Sequence, residues 1–131
     1  MRRGAASRRA GEKIVAGADD IQKSVGIGSV AFGAIAALTP RLFLGMYGVP
    51  NEANVRTMTR IWGTRTAVLG ALVFTLEGTE NKQKLMTMSA AMNAADAVMV
   101  AAAGGVPARA RVLGSLTSAG FAGALAYALN Q

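Results

Sequence analysis

The chain reads as an all-α protein: an up-down four-helix transmembrane bundle with a basic, amphipathic N-terminal segment. Three observations predict this. Hydrophobic residues make up 52% of the 131 and charged residues only 16%, against roughly 25% charged in a typical soluble domain. The charges are clustered, so four intervals of about 20 residues stay apolar, enough to cross about 30 Å of hydrocarbon. Turn signals separate the intervals, and no strand alternation suggests a barrel. A soluble helical module would need a polar face on every helix, which these intervals mostly lack.

Residues 1–24, "MRRGAASRRAGEKIVAGADDIQKS", form a tail ahead of a membrane domain over 25–131. The tail carries Arg2, Arg3, Arg8, Arg9, Lys13 and Lys23. Ile14, Ala18, Ile21 and Val25 recur at helical spacing, with Lys13, Asp19, Asp20 and Lys23 off that stripe. Such a segment lies on the headgroups or forms a solvated lead-in helix. The paired arginines suggest an export signal, but Gly11, Glu12, Asp19 and Asp20 interrupt its apolar region, so neither export nor cleavage is expected.

The first apolar segment covers about 25–46, and Pro40 kinks or ends its continuous part. The second runs over about 54–76, the third over about 85–105 and the fourth over 112–129. "GMYGVPN" turns the chain after the first, with Asn51 as a candidate N-cap. "EGTENKQK" joins the second to the third, with Asn81 as the cap, and "GGVPARAR" joins the third to the fourth. Short connectors make consecutive helices antiparallel neighbours. The tail and the second connector hold eight Lys and Arg; Arg41, Arg56, Arg109 and Arg111 lie on the other side. That bias puts both termini in the cytoplasm, with the helices in the plasma (inner) membrane.

In lipid, helices attract by close backbone approach at small residues. Ser29 and Gly33, Gly63 and Ala67, Gly114 and Ser118, and Ala119 and Gly123 each stand four apart, and alanines give the third segment a similar surface. These surfaces suit helix packing within the chain or between copies.

Charges inside the apolar segments are costly. Arg65 stands twelve residues before Glu77 and Asp96 twelve after Lys84. Antiparallel helices would carry both about 18 Å from the shared turn. Ser89, Asn93 and Asp96 share one helical face, a polar stripe that should point inward. Arg60 and Arg65 stand roughly 140° apart around their helix. Depth favours Arg65 as the partner of Asp96, whereas the small face at Gly63 and Ala67 favours Arg60. The group is either a structural ion pair or a polar site for a headgroup, a quinone or an ion.

The chain has no cysteine and no histidine, so no thiol nucleophile, Ser-His-Asp triad or His-ligated metal is possible. No catalytic residue, metal or cofactor is expected. The net charge of +7 comes without interleaved aromatics or a recognition helix, which argues against nucleic acid and for anionic headgroups. One Trp, two Tyr and four Phe leave little bulky surface for a ligand pocket.

Pro40, the turn Gly48–Pro50, Arg60, Gly63 and Arg65 in "RIWGTR", and Asp96 in "NAADAVM" together resemble a family. Over about residues 24–106 the order is similar to small four-helix membrane proteins of unknown function common in actinobacteria, distantly DoxX-like. The resemblance implies a fold and a membrane location, and no activity. The expected function is a non-catalytic multi-pass membrane protein, an accessory or structural subunit of a larger complex or a self-associating one. The alternative is an oligomeric small-molecule or ion carrier, or a quinone- or lipid-binding protein, using Arg65 and Asp96.

Overall fold

A computed structural model describes the backbone of residues 3–131 and the side chains from Asp19 onward. The side chains of Arg2, Arg3, Arg8, Arg9 and Lys13, and of the stripe positions Ile14 and Ala18, lie outside the described residues. The chain is all-helical, with no strand among the described residues. Five helices follow in order: α1 Arg3–Leu38, α2 Pro40–Tyr47, α3 Ala53–Thr75, α4 Thr79–Ala102 and α5 Ala108–Leu129.

The α1 backbone runs unbroken past residue 24, where the sequence suggests a boundary. It stops at Leu38 because Pro40 has no N–H to donate and pushes its predecessor out of the helical region. Thr39 accordingly sits at φ −126°, ψ 58°. Proline then serves as the first residue of α2, so the expected first segment of 25–46 is two helices. α2 closes on Gly48, left-handed at φ 68°. Val49 N–H donates to Leu44 O at 2.9 Å and Gly48 N–H to Gly45 O at 3.2 Å, the paired bonds of a Schellman cap.

Neither expected asparagine caps a helix. Glu52 precedes α3, while Asn51 accepts Arg56 Nη1 through its carbonyl (2.8 Å) and its side chain (3.1 Å). Gly78, at φ 85°, turns the chain early enough for α4 to start at Thr79. Asn81 therefore lies within the helix and donates to Glu77 O at 3.1 Å. At the other end of α4, Arg111 donates twice to Ala101 O, at 3.0 and 2.6 Å. A cation at a helix C-terminus also meets the favourable end of its dipole.

Neighbour relations depart from a simple round of consecutive helices. α1 packs most closely on α3, α4 on α5, and α1 less extensively on α5. α3 and α4 touch sparsely although three residues join them. Gly33, Gly63 and Gly70 cause the first preference. A Cβ on Gly63 would lie 2.6 Å from Ala37 N and Gly33 O, and one on Gly70 would lie 2.7 Å from Gly26 O and 2.8 Å from Ser29 Cβ. Gly33 is equally close to Gly63 O and the Ala67 amide. Gly114 lies against Val100 of α4, and Ser118 is buried. Gly123 is different: a Cβ there would meet nothing, so it packs no helix within the chain.

Three stretches are long and apolar enough to cross a membrane: Asp19–Leu38, Thr79–Ala102 and Ala108–Leu129. The sequence suggests four. α3 is long enough, but Arg60 and Arg65 lower its hydropathy. Large apolar side chains point outward, among them Leu38 (78% exposed), Val98 (68%) and Met88 (66%). The buried apolar set is small, with Leu44, Leu85, Met86 and Leu125 its largest members. A chain that turns this much apolar surface outward is built for lipid rather than water. Three apolar helices of this length mark a membrane protein.

Candidate functional site

Asp96 lies on the face of α4 that turns toward α3, and Arg65 reaches it across the sparse seam. Arg65 Nη2 donates to Asp96 Oδ2 at 2.6 Å. Among the described residues there is one other ion pair, the exposed i,i+4 pair Lys84–Glu80 on α4. Asp96 is largely enclosed, with 16% of its side chain exposed, whereas Arg65 is 43% exposed. The equal distances of both residues from the turn place them level. Arg60 is exposed, and no hydrogen bond or ion pair holds it among the described residues. It projects from α3 where its long side chain can run toward the headgroups.

The rest of the polar stripe turns inward. Asn93 Nδ2 donates to Ser89 O one turn back, at 2.8 Å. Ser89, Asn93, Arg65 and Thr66 line a small hollow of about 40 Å³, which α1 and α5 close with Ser29 and Ser118. Trp62, Thr117 and Ser118 border this hollow and also a much larger cavity beside it.

That cavity, about 390 Å³, corrects the expectation of little room for a ligand. It opens between α3 and α4 on the side of the ion pair nearer the α4–α5 turn. Val55, Met58 and Trp62 form the α3 wall, and Asp96, Met99 and Val100 the α4 wall. Phe32, Phe43 and Tyr47 line the back. Four of the seven aromatic residues line the cavity, and Phe121 joins their cluster through Phe32. Phe32 is the hub, with ring centroids 5.2 Å from Phe43, 5.9 Å from Trp62, 6.3 Å from Phe121 and 6.4 Å from Tyr47. The contacts with Phe43, Trp62 and Tyr47 are edge-on, a favoured geometry for such rings, and that with Phe121 is tilted.

Sequence reasoning missed this cluster because it counted aromatics and did not place them. One signal was present. Phe43 and Tyr47 stand four apart just after Pro40, so a proline-made turn would lay one aromatic face back against α1. Among the described residues no three acidic side chains come together as a metal site.

The site defines a helical membrane protein with an interhelical ion pair beside an aromatic-lined cleft. The chain belongs to the DUF4267 family, a domain of unknown function whose model matches residues 26–129. The match begins inside α1 and ends with α5. No curated protein and no solved structure matches the chain.

Proposed function

We propose that the chain is a multi-pass membrane protein whose four long helices form a transmembrane bundle that binds an apolar molecule drawn from the bilayer, with no chemistry of its own. The cleft between α3 and α4 carries this reading. Its volume falls in the range of small-molecule sites, and its lining is aromatic and aliphatic with a few polar groups, the usual make-up of such sites. Arg60 and Arg65 explain why α3 is less apolar than a typical span: one reaches the headgroups and the other is paired. The basic count supports cytoplasmic termini in a plasma membrane, and Pro40, Gly48–Pro50, Arg60, Gly63, Arg65 and Asp96 support a distant DoxX-like kinship.

Titration of the purified protein with aminoanthracene, a fluorescent apolar probe, tests the reading. Saturable enhancement is expected, reduced at least several-fold by Val55→Phe, which fills the cleft from α3. Non-saturable partitioning that is equal in both proteins would overturn it.

A second reading is an accessory subunit or a self-associating protein. It is favoured by the face of α5 carrying Ala119, Gly120 and Gly123, exposed and with open space over both glycines. Mild extraction and native mass spectrometry would then recover a larger assembly, dispersed by Gly123→Leu. A lone chain would exclude it.

A further inference from the structure

We infer that the cleft takes a neutral, ring-bearing amphiphile that donates a hydroxyl hydrogen bond to Asp96, an alkylphenol being the simplest representative. This rests on the binding role proposed for the cleft and specifies its ligand.

Charge is the first argument. Arg65 and Asp96 already balance one another. A cation or an anion entering beside them would bring an uncompensated charge into a medium that solvates it poorly. The occupant is neutral.

Hydrogen-bond accounting gives the second. Thr117 has one hydroxyl proton, and it goes to Leu113 O at 2.8 Å. The 3.0 Å contact between Tyr47 and Thr117 must then be donated by Tyr47. Thr59 gives its proton to Val55 O at 2.8 Å. Three of the four wall hydroxyls have thus spent their donors inside the protein, leaving that of Ser118. Asp96 is acceptor-only when ionised. Its Oδ2 takes Arg65, whereas Oδ1 accepts no hydrogen bond among the described residues and is not sealed from the surroundings. A wall rich in acceptors calls for a ligand that donates.

The rings supply the third. Phe43 lies 5.5 Å from Trp62 and 4.9 Å from Tyr47 between centroids, so a flat ring entering the cleft meets ring edges and faces together. Met58 and Met99 flank the mouth, 65% and 61% exposed. Their flexible thioethers can adjust around an alkyl tail that trails into the bilayer.

Trp62 is the one tryptophan in the chain and lines the cleft, so its emission reports occupancy. Protein in nanodiscs is titrated with para-nonylphenol, its methyl ether para-nonylanisole, and nonylammonium. The phenol should quench or shift Trp62 saturably, and the ether, which cannot donate, should bind about tenfold more weakly. The charge-balanced double variant Arg65→Gln/Asp96→Leu should erase that difference by weakening the phenol alone. The wild-type comparison of phenol with ether needs no variant, so a misfolded variant does not blunt the test. Equal binding of phenol and ether, or tighter binding of the ammonium ion, overturns the donor inference and leaves the cleft as a binding site. Absence of any saturable response, to these ligands and to aminoanthracene alike, overturns both.

Discussion

Gly33 of α1 and Gly63 of α3 face each other so closely that a Cβ on either would lie within about 2.6 Å of the other's carbonyl oxygen. No side chain separates the two helices at this level. The approach repeats one turn or two away, where Gly70 meets Gly26 and Ser29. Apolar burial contributes little between helices already in lipid, so this backbone contact is what holds α1 to α3. It also fixes the position of Trp62, the neighbour of Gly63, at the wall of the cleft.

Gly63→Ala should therefore be among the most damaging small substitutions in the chain. The atoms a new Cβ would meet are Ala37 N and Gly33 O, which are backbone and cannot swing aside. The helices must separate, at a cost of about 1–3 kcal/mol for overpacking of this kind. Gly123→Ala is the matched control, because a Cβ there meets nothing. Its stability should stay within about 0.5 kcal/mol of the parent or rise slightly through helix propensity. Unfolding in mixed micelles, followed by the loss of helical circular dichroism, checks both. Equal effects would show that α1 and α3 are not in backbone contact.

Arg65 and Asp96 bridge a seam with few other contacts, so they should behave as an energetic unit. Asp96→Asn should destabilise the bundle by removing the partner of a charged side chain, and Arg65→Gln in that background should cost little more. The expected coupling is about 0.5–3 kcal/mol. Arg60→Gln should combine additively with Asp96→Asn, because Arg60 is exposed on a different face of α3. A full cycle in micelles measures this, and coupling through Arg60 instead of Arg65 would contradict the ion pair.

The depth of the charged residues was legible in the sequence because it follows from counting outward from one turn. That count brings Arg65 level with Asp96, and the structure joins them. The spacing of Gly33, Gly63 and Ala67 also marked a close approach, but four-residue spacing says nothing about which helix is the partner. Gly123 has the same spacing from Ala119 and faces open space. The break at Pro40 was visible from proline's missing donor, yet its consequence was not. Once Thr39 leaves the helical region, Phe43 and Tyr47 fold back toward Phe32 and Trp62, and residues far apart in the chain become the wall of one cleft. No local pattern encodes that meeting. The capping asparagines failed for a related reason: Gly78 and the Arg56–Asn51 bonds moved the helix starts away from the residues with the best side chains for the role.

Any side chain at Gly48 should destabilise the protein. Its φ of 68° lies in the left-handed region, where a residue with a Cβ pays roughly 1–2 kcal/mol. A Cβ would also lie 3.3 Å from Arg109 Cδ, a flexible neighbour that can shift. Gly48→Ala is thus expected to cost about 1–2 kcal/mol from backbone strain alone, and Gly48→Asn less, since asparagine visits this region more readily. Thermal unfolding of the pair in detergent checks the ranking. Equal stability of all three proteins would mean that the α2 cap relaxes without cost.

Phe32 offers the most direct test of the aromatic wall, because four other rings lie around it. Phe32→Ala removes the hub and leaves a void against Phe43, Tyr47, Trp62 and Phe121. Large-to-small changes of this kind cost about 3–5 kcal/mol in a closed core, and less is expected here because Phe32 is only partly buried. Phe32→Leu keeps most of the volume and loses the edge-on ring contacts, worth about 0.5–1.5 kcal/mol per aromatic pair. Both should alter Trp62 emission, since its ring centroid lies 5.9 Å from that of Phe32. With a single tryptophan in the chain, the signal has one source. Phe74→Ala is the control: Phe74 is 52% exposed and packs near Gly26, away from the cluster. Its loss should leave Trp62 emission unchanged. A Phe32→Ala spectrum identical to the parent's would mean that the rings do not form one wall.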